Sequence, residues 1–292
     1  MPRVSPPPEG FAPVPSPLDN VSHACFGLSY LTALGCEAAR LRWPSRPLRL
    51  AGLGWAAAGL LAHTAFLLMQ HPTPASPEGS LLGVAWVLSV FSLYGSVHHA
   101  KQAWAVFALP VVLGLVGLSF MSMPVADGEA FAAPPWLPGE RGWGSLHGLL
   151  LLLAAVGVSV GFLASVMYLV QAGRLRAKRS PLGGLKLLSL ERLEAMNRHA
   201  VNVAFPLLSV GLLLGVVLLR HGADLADNLF SVKILGTLGL WAVFGVLLYL
   251  RYGANVSGRR LALGTTVAFA LLVLVLVSTH PFAVGAAAGR AP

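Results

Sequence analysis

Residues 146–171 read LHGLLLLLAAVGVSVGFLASVMYLVQ and contain no Lys, Arg, Asp or Glu. About 18 or more consecutive apolar residues suffice to cross a bilayer core of about 30 Å as a helix. The stretch therefore predicts a transmembrane helix. The composition agrees, because 56% of the residues are hydrophobic, only 11% are charged and the mean hydropathy is +0.73. Such values are typical of a polytopic membrane protein rather than a water-soluble domain.

Eight stretches of this kind predict an all-α protein with eight transmembrane helices. The predicted spans are 20–39, 50–70, 80–98, 103–123, 146–171, 200–219, 232–250 and 261–279. The first span is the least apolar, because it contains Glu37 and two cysteines. Residues 1–19 are rich in proline and predict a disordered external tail, and residues 283–292 predict a short external C-terminal tail.

The basic residues predict the orientation. Of the 20 Lys and Arg residues, 15 fall after the first, third, fifth and seventh spans. The positive-inside rule then places both termini outside. Topology and anionic lipid headgroups explain the net charge of +9, so the expected partner of this surface is the lipid bilayer and not nucleic acid.

Three of the nine histidines are candidate functional residues. His63 lies within the second span, in LLAHTAFLLMQ, where an ionisable side chain is costly and is tolerated mainly at a binding site or along a pathway. The alternative is an imidazole that hydrogen-bonds to a neighbouring helix. His147 begins the fifth span and His280 ends the eighth, so the predicted topology brings both to the outer surface.

Two neutral imidazoles that face each other across a cleft suit six-coordinate haem iron. The loop before His147 contains Trp136, Arg141 and Trp143, which could supply flat aromatic surface and a guanidinium for a propionate. Tryptophan is also common at membrane interfaces that bind no ligand. The sequence therefore predicts haem iron as the metal, with His147 and His280 as axial ligands, and leaves plain interfacial residues as the alternative.

Three segments resemble the CcsA/ResC/HemX-like family of cytochrome c assembly membrane proteins. They are HTAFLLMQHPTPASPEGSLLG at 63–83, LHGLLLLLAAVGVSVGFLASVMYLVQAGRLRAK at 146–178 and LLSLERLEAMNRHAVNVAFPLLSVGLLLGVV at 187–217. GRR at 258–260, followed by a span that ends at His280, completes the same order. The resemblance extends over about residues 20–282, which it marks as one eight-helix membrane domain.

The resemblance implies a function in haem handling for cytochrome c biogenesis at the outer face of the bacterial plasma membrane. It implies non-covalent haem b, bound by His147 and His280 with His63 as a further ligand. It also implies a ResB/CcsB-type membrane protein and apocytochrome c as partners. The chain would then act within a haem lyase system or as an accessory factor and not as a stand-alone enzyme.

Two departures favour the HemX-like branch of that family. The loop between the sixth and seventh spans, RHGADLADNLFSVK, lacks the tryptophan-rich WWD segment of the haem lyases. The family's second intramembrane histidine falls at about Arg251, so the inner haem site would lack one ligand.

Two other classes of membrane protein are the alternatives. A transporter for a small substrate is disfavoured, because the spans offer no interior Asp or Glu for ion coupling. A non-catalytic subunit of a larger complex would leave His147 and His280 free to vary.

The segment 187–199 alternates leucines with charged residues and predicts an amphipathic helix on the inner surface.

Overall fold

The computed structural model describes residues 22–72, 76–99, 102, 104–121, 140–178, 188–219, 232–254 and 256–278. This part of the chain contains eight helices, which we number in chain order. They are α1 (His23–Arg42), α2 (Arg46–Gln70), α3 (Pro77–His98), α4 (Trp104–Met121), α5 (Glu140–Arg176), α6 (Leu190–Leu219), α7 (Val232–Tyr252) and α8 (Gly258–Ser278). The predicted tails, 1–19 and 283–292, lie outside the described residues.

Each predicted span corresponds to one of these helices. Seven of them, α2 to α8, are long and apolar enough to cross a membrane. Helix α1 is not among the seven, and it contains Glu37, Arg40 and Arg42. The chain is therefore an all-helical, multi-pass membrane protein, in which α2 to α8 have the length and composition of spans.

Consecutive helices pair as antiparallel hairpins. In the first pair, Gly52 of α2 lies against Cys36 of α1, and Gly59 of α2 lies against Tyr30 of α1. Residue numbers therefore rise along α2 as they fall along α1, so the two helices are antiparallel. In the third pair, Gly157 of α5 lies against Ala204 of α6, and Gly215 lies against His147. Helices α1 to α4 form one half of the bundle and α5 to α8 the other, and α3 packs against α5 where the halves meet.

Small residues allow the close approach of α5 and α6. Gly157 and Gly161 are one turn apart on α5 and face Ala200 and Ala204 of α6. A Cβ added at Gly157 would lie 2.9 Å from the Cβ of Ala204, so the two backbones could not remain at this distance. Pairs of small residues four positions apart are the usual means of close helix packing in membranes, where lipid gives little hydrophobic driving force between helices.

We call the end of the bundle that bears the α1–α2, α5–α6 and α7–α8 connections the basic end, because most Lys and Arg residues lie there. One acidic residue of the first predicted span is buried near this end. The carboxylate of Glu37 accepts a hydrogen bond of 2.8 Å from the guanidinium of Arg40, and both side chains are less than 10% exposed. The acidic residue that the sequence places in the first span is therefore held as a buried ion pair near the end of its helix.

The segment after residue 187 is not a separate surface helix. Residues from Leu190 onward form the first turns of α6 and continue without a break into the apolar part of that helix. Leu193 is fully buried and Asn197 is 5% exposed, because this part of α6 packs against α5 and α8. The amphipathic pattern is real, but its apolar face is covered by protein rather than by lipid.

Candidate functional site

His147 lies two turns into α5, at the end of the bundle opposite the basic end. Its Nδ1 atom donates a hydrogen bond of 2.8 Å to the backbone carbonyl of Gly211 on α6. A carbonyl can only accept, so Nδ1 bears a proton, and in the neutral ring the lone pair is then on Nε2. A metal-binding histidine commonly holds its other nitrogen in this way.

Gly215 forms the surface on which the imidazole of His147 rests. A Cβ added at this glycine would lie 2.8 Å from Cε1 of the ring, closer than real side chains approach each other. The imidazole therefore occupies space that any residue other than glycine would fill. Together, Gly211 and Gly215 fix the direction and the depth of the ring.

The other predicted outer residues are described only in part. Trp143 lies one turn before His147 on α5, and its side chain is 37% exposed, so an indole and an imidazole share one face of the helix. Arg141 belongs to the first turn of α5, although its side chain is not described. Trp136 and His280 lie outside the described residues, and His280 follows the last residue of α8, Ser278, by two positions.

Helices α5 and α8 pack against each other in a register that two contacts define. A Cβ at Gly161 would lie 3.2 Å from Cγ2 of Thr265, and a Cβ at Gly258 would lie 2.9 Å from the hydroxyl of Tyr168. The helices are antiparallel, because the contact at the higher number on α5 is at the lower number on α8. The start of α5 and the end of α8 therefore lie at the same end of the bundle.

His63 is on α2, seven residues before the end of that helix, and its side chain packs against α1. It is fully buried, and its ring stacks on Phe26 with the centroids 4.4 Å apart and the planes at 3°. Its Nδ1 atom lies 3.3 Å from the hydroxyl of Tyr30, while its Nε2 atom is buried and has no hydrogen-bond partner. The structure thus shows one nitrogen bound to a neighbouring helix and the other without a partner.

A second histidine close to His63 was not identified from the sequence as a candidate. His23, at the start of α1, lies with its ring 4.7 Å from that of Phe66. Its Nε2 atom is 3.4 Å from a carboxylate oxygen of Glu78 and 3.3 Å from the hydroxyl of Ser119. His23, Glu78 and Ser119 come from α1, α3 and α4, and no local pattern in the sequence connects these three residues.

Arg251 lies near the basic end of α7 and contacts α6. Its guanidinium donates to Oδ1 of Asn197 at 3.4 Å and to the backbone carbonyl of Glu194 at 3.3 Å, and it lies 3.5 Å from Oε1 of Glu194. His63 makes its hydrogen bond with Tyr30 on α1 instead. The structure therefore gives Arg251 a packing role and does not bring it together with His63.

The described residues contain no group of three or more His, Cys, Asp or Glu side chains that could hold a bare metal ion. The two candidate ligands within the described residues, His147 and His63, are single imidazoles held by hydrogen bonding and packing. Such an arrangement suits a group that brings its own equatorial ligands, as a porphyrin does.

The sequence profile of the cytochrome c assembly protein family matches residues 75–281. The chain belongs to this family. The match covers α3 to α8 and includes both His147 and His280, whereas His63 on α2 lies before it. No solved structure matches the chain.

Two proteins to which this chain is similar come from Synechococcus. The cytochrome c biogenesis protein CcsA of Synechococcus sp. strain CC9902 is 25% identical over 228 residues, which are 70% of this chain and 74% of that protein. CcsA of Synechococcus elongatus is 23% identical over 235 residues, covering 66% of this chain and 71% of that protein. The similarity therefore extends over most of both chains.

Proposed function

We propose that this cytochrome c assembly protein binds haem b non-covalently at the outer face of the bacterial plasma membrane, with His147 and His280 as the axial ligands. It would handle haem for attachment to apocytochrome c, together with a ResB/CcsB-type membrane protein. Both termini would lie outside, with α1 as an eighth span. Haem, when bound, supplies the iron porphyrin that cytochrome c assembly requires.

The register of α5 and α8 is the observation that supports this proposal most directly. Gly161 faces Thr265 in that register. Fourteen residues back from Gly161 is His147, and fourteen residues forward from Thr265 is position 279, immediately before His280. Equal steps along two α-helices cover equal distances, so Ser278, the last residue of α8, lies at about the height of His147, and His280 follows it by two positions in the sequence.

The state of His147 also fits an axial ligand. Its Nδ1–H is held by the carbonyl of Gly211, so the neutral ring has its lone pair on Nε2, as iron coordination needs. Trp143 on the same face offers an aromatic surface, and Arg141 in the same turn of α5 offers a guanidinium for a propionate. The family match covers all of these residues.

His63 is proposed as a further haem ligand that acts apart from the outer pair. Its buried Nε2 without a hydrogen-bond partner supports this assignment, because an unpaired buried polar atom is rare unless it serves a function. The proposal does not use Arg251 as a ligand, since its contacts with Asn197 and Glu194 account for its position.

The test is haem binding by the full-length protein in detergent, measured from the Soret absorption during titration with haem. We expect His147→Ala and His280→Ala each to weaken haem binding at least about tenfold in a His63→Ala background. The matched control is His199→Ala, because His199 is an exposed histidine near the basic end, on α6. Haem binding that both variants leave unchanged would overturn the assignment of the outer pair.

A further inference from the structure

Two aromatic side chains of α1 enclose the imidazole of His63. The ring of Phe26 stacks on one face with the centroids 4.4 Å apart, and the ring of Tyr30 lies at its edge with the centroids 6.1 Å apart. Phe26, Tyr30 and His63 are each no more than 1% exposed, and Nε2 of His63 is buried without a hydrogen-bond partner. A nitrogen enclosed in this way cannot bond to the iron of a porphyrin until at least one neighbour moves.

The start of α1 is the part of this enclosure with the weakest local support. Ser22, at the N-cap of α1, makes no side-chain cap hydrogen bond, and the first turn contains no acidic residue. By contrast, Ser45 and Ser76 cap α2 and α3, because their hydroxyls accept from the backbone N–H groups of Leu48 and Gly79 at 3.3 and 3.0 Å. Helix α1 is also not among the seven helices that are long and apolar enough to cross a membrane. An uncapped helix start opens more readily than a capped one, so α1 is the element that can move.

His23, the first residue of α1, fastens this turn to the rest of the bundle. Its Nε2 atom lies 3.4 Å from a carboxylate oxygen of Glu78 on α3 and 3.3 Å from the hydroxyl of Ser119 on α4. Its ring packs edge-on against Phe66 of α2, with the centroids 4.7 Å apart. Phe66 is one turn after His63 on the same helix, so these contacts lie directly beside the enclosed imidazole. One side chain therefore connects the start of α1 to three other helices.

We infer that residues 23–30 of α1, which we call the cover, move to admit a ligand to Nε2 of His63, and that the contacts of His23 with Glu78 and Ser119 hold the cover closed. The inference rests on the proposed function, in which His63 is a haem ligand. The enclosed arrangement is then the state before haem binds. Single polar contacts contribute modestly to stability, so a cover held by two of them can open within the folded protein.

The first test is labelling of histidines with diethyl pyrocarbonate in the haem-free, full-length protein in detergent, with each site located by mass spectrometry. In the wild type, His63 should react much more slowly than the exposed His71. His23→Phe keeps an aromatic ring and removes both polar contacts, so it should speed the labelling of His63 about fivefold. His98→Phe is the control, because His98 is exposed and contacts Tyr94 instead. Equal labelling of His63 in the two variants would overturn the inference.

The second test closes the cover reversibly, in a background that lacks Cys25 and Cys36. A Cβ at Gly27, within the cover, would lie 3.8 Å from Cγ1 of Val116 on α4, so cysteines at these two positions lie within reach of a disulfide. We expect His63 to be labelled more slowly in the oxidised form than in the reduced form of the same protein. Because one protein supplies both forms, a failure to fold cannot produce this difference. Equal labelling rates would contradict a moving cover.

The third test measures the rate of haem association with the same cysteine pair in a His147→Ala background. The reduced form should bind haem faster than the oxidised form, because only the reduced form can open. Equal rates in the two forms would contradict the role of the cover in haem binding. If His63→Ala leaves haem binding in this background unchanged, the haem-ligand role of His63 fails, while the labelling tests still decide whether the cover moves.

Discussion

The imidazole of His147 on α5 donates from Nδ1 to the backbone carbonyl of Gly211 on α6, at 2.8 Å. The acceptor belongs to the backbone, so no side-chain change at position 211 removes it. The orientation of the ring therefore depends on how closely α5 and α6 pack. Glycine residues on α6 permit that approach, and they are the natural positions at which to test it.

Gly215→Ala should weaken haem binding at the outer site by about tenfold or more, a loss typical of changes around a metal ligand. The added Cβ would lie 2.8 Å from Cε1 of His147 and would push the ring away from Gly211. Haem titration in detergent measures the effect. Gly148→Ala on α5 is the control, because a Cβ there meets no atom within 4 Å. Equal haem affinities in the two variants would show that the ring position does not matter.

Asn197→Ala should lower the free energy of unfolding by about 2 kcal/mol, since it leaves several buried polar groups unpaired. The amide nitrogen of Asn197 lies within hydrogen-bond distance of three groups on α5 and α8. They are the carbonyl of Gly161 at 3.1 Å and the hydroxyls of Ser165 at 2.7 Å and Thr265 at 3.1 Å.

Unfolding of this variant in detergent can be compared with that of Asn202→Ala, which removes an exposed contact with Tyr252. We expect the second change to have the smaller effect. Similar midpoints for both variants would mean that the polar cluster around Asn197 does not join the three helices.

Glu37→Gln should destabilise the α1–α2 hairpin by about 3 kcal/mol, because it leaves the buried guanidinium of Arg40 without its counter-charge. The double variant Glu37→Leu with Arg40→Leu should recover most of this loss, since replacing a whole buried pair by apolar residues is often neutral. Thermal unfolding in detergent provides the comparison. A double variant less stable than the single one would mean that the ion pair itself stabilises the hairpin.

The topology can be tested with single cysteines in a background that lacks Cys25 and Cys36. A cysteine at Trp43, in the α1–α2 connection, should react only when the reagent reaches the inner side. A cysteine at Met121, the last residue of α4, should react with an impermeant maleimide added to intact cells. An N-terminal tag that the same cells also expose would support α1 as a span. A tag that is accessible only after lysis would contradict it.

The sequence predicted the eight helices of the described residues. Seven of them, α2 to α8, are long apolar stretches, and the length of a span is a local property. The sequence could not predict the partners of the candidate histidines. Gly211 lies 64 positions from His147, and Tyr30 lies 33 positions from His63, so both contacts depend on how helices pair. The same limit explains the error at 187–199, where an amphipathic pattern cannot show whether protein or lipid covers the apolar face. The sequence places Glu37 in the first span, but it could not show that Glu37 is buried in an ion pair with Arg40, because that burial depends on how α2 packs against α1.

The central claim is that the imidazoles of His147, near the start of α5, and His280, two residues after α8, bind one iron. The most direct measurement is the EPR spectrum of the ferric haem-bound protein in a His63→Ala background. We predict a low-spin bis-imidazole signal that is replaced by a high-spin signal in both His147→Ala and His280→Ala. A low-spin signal that persists in either variant would contradict the account.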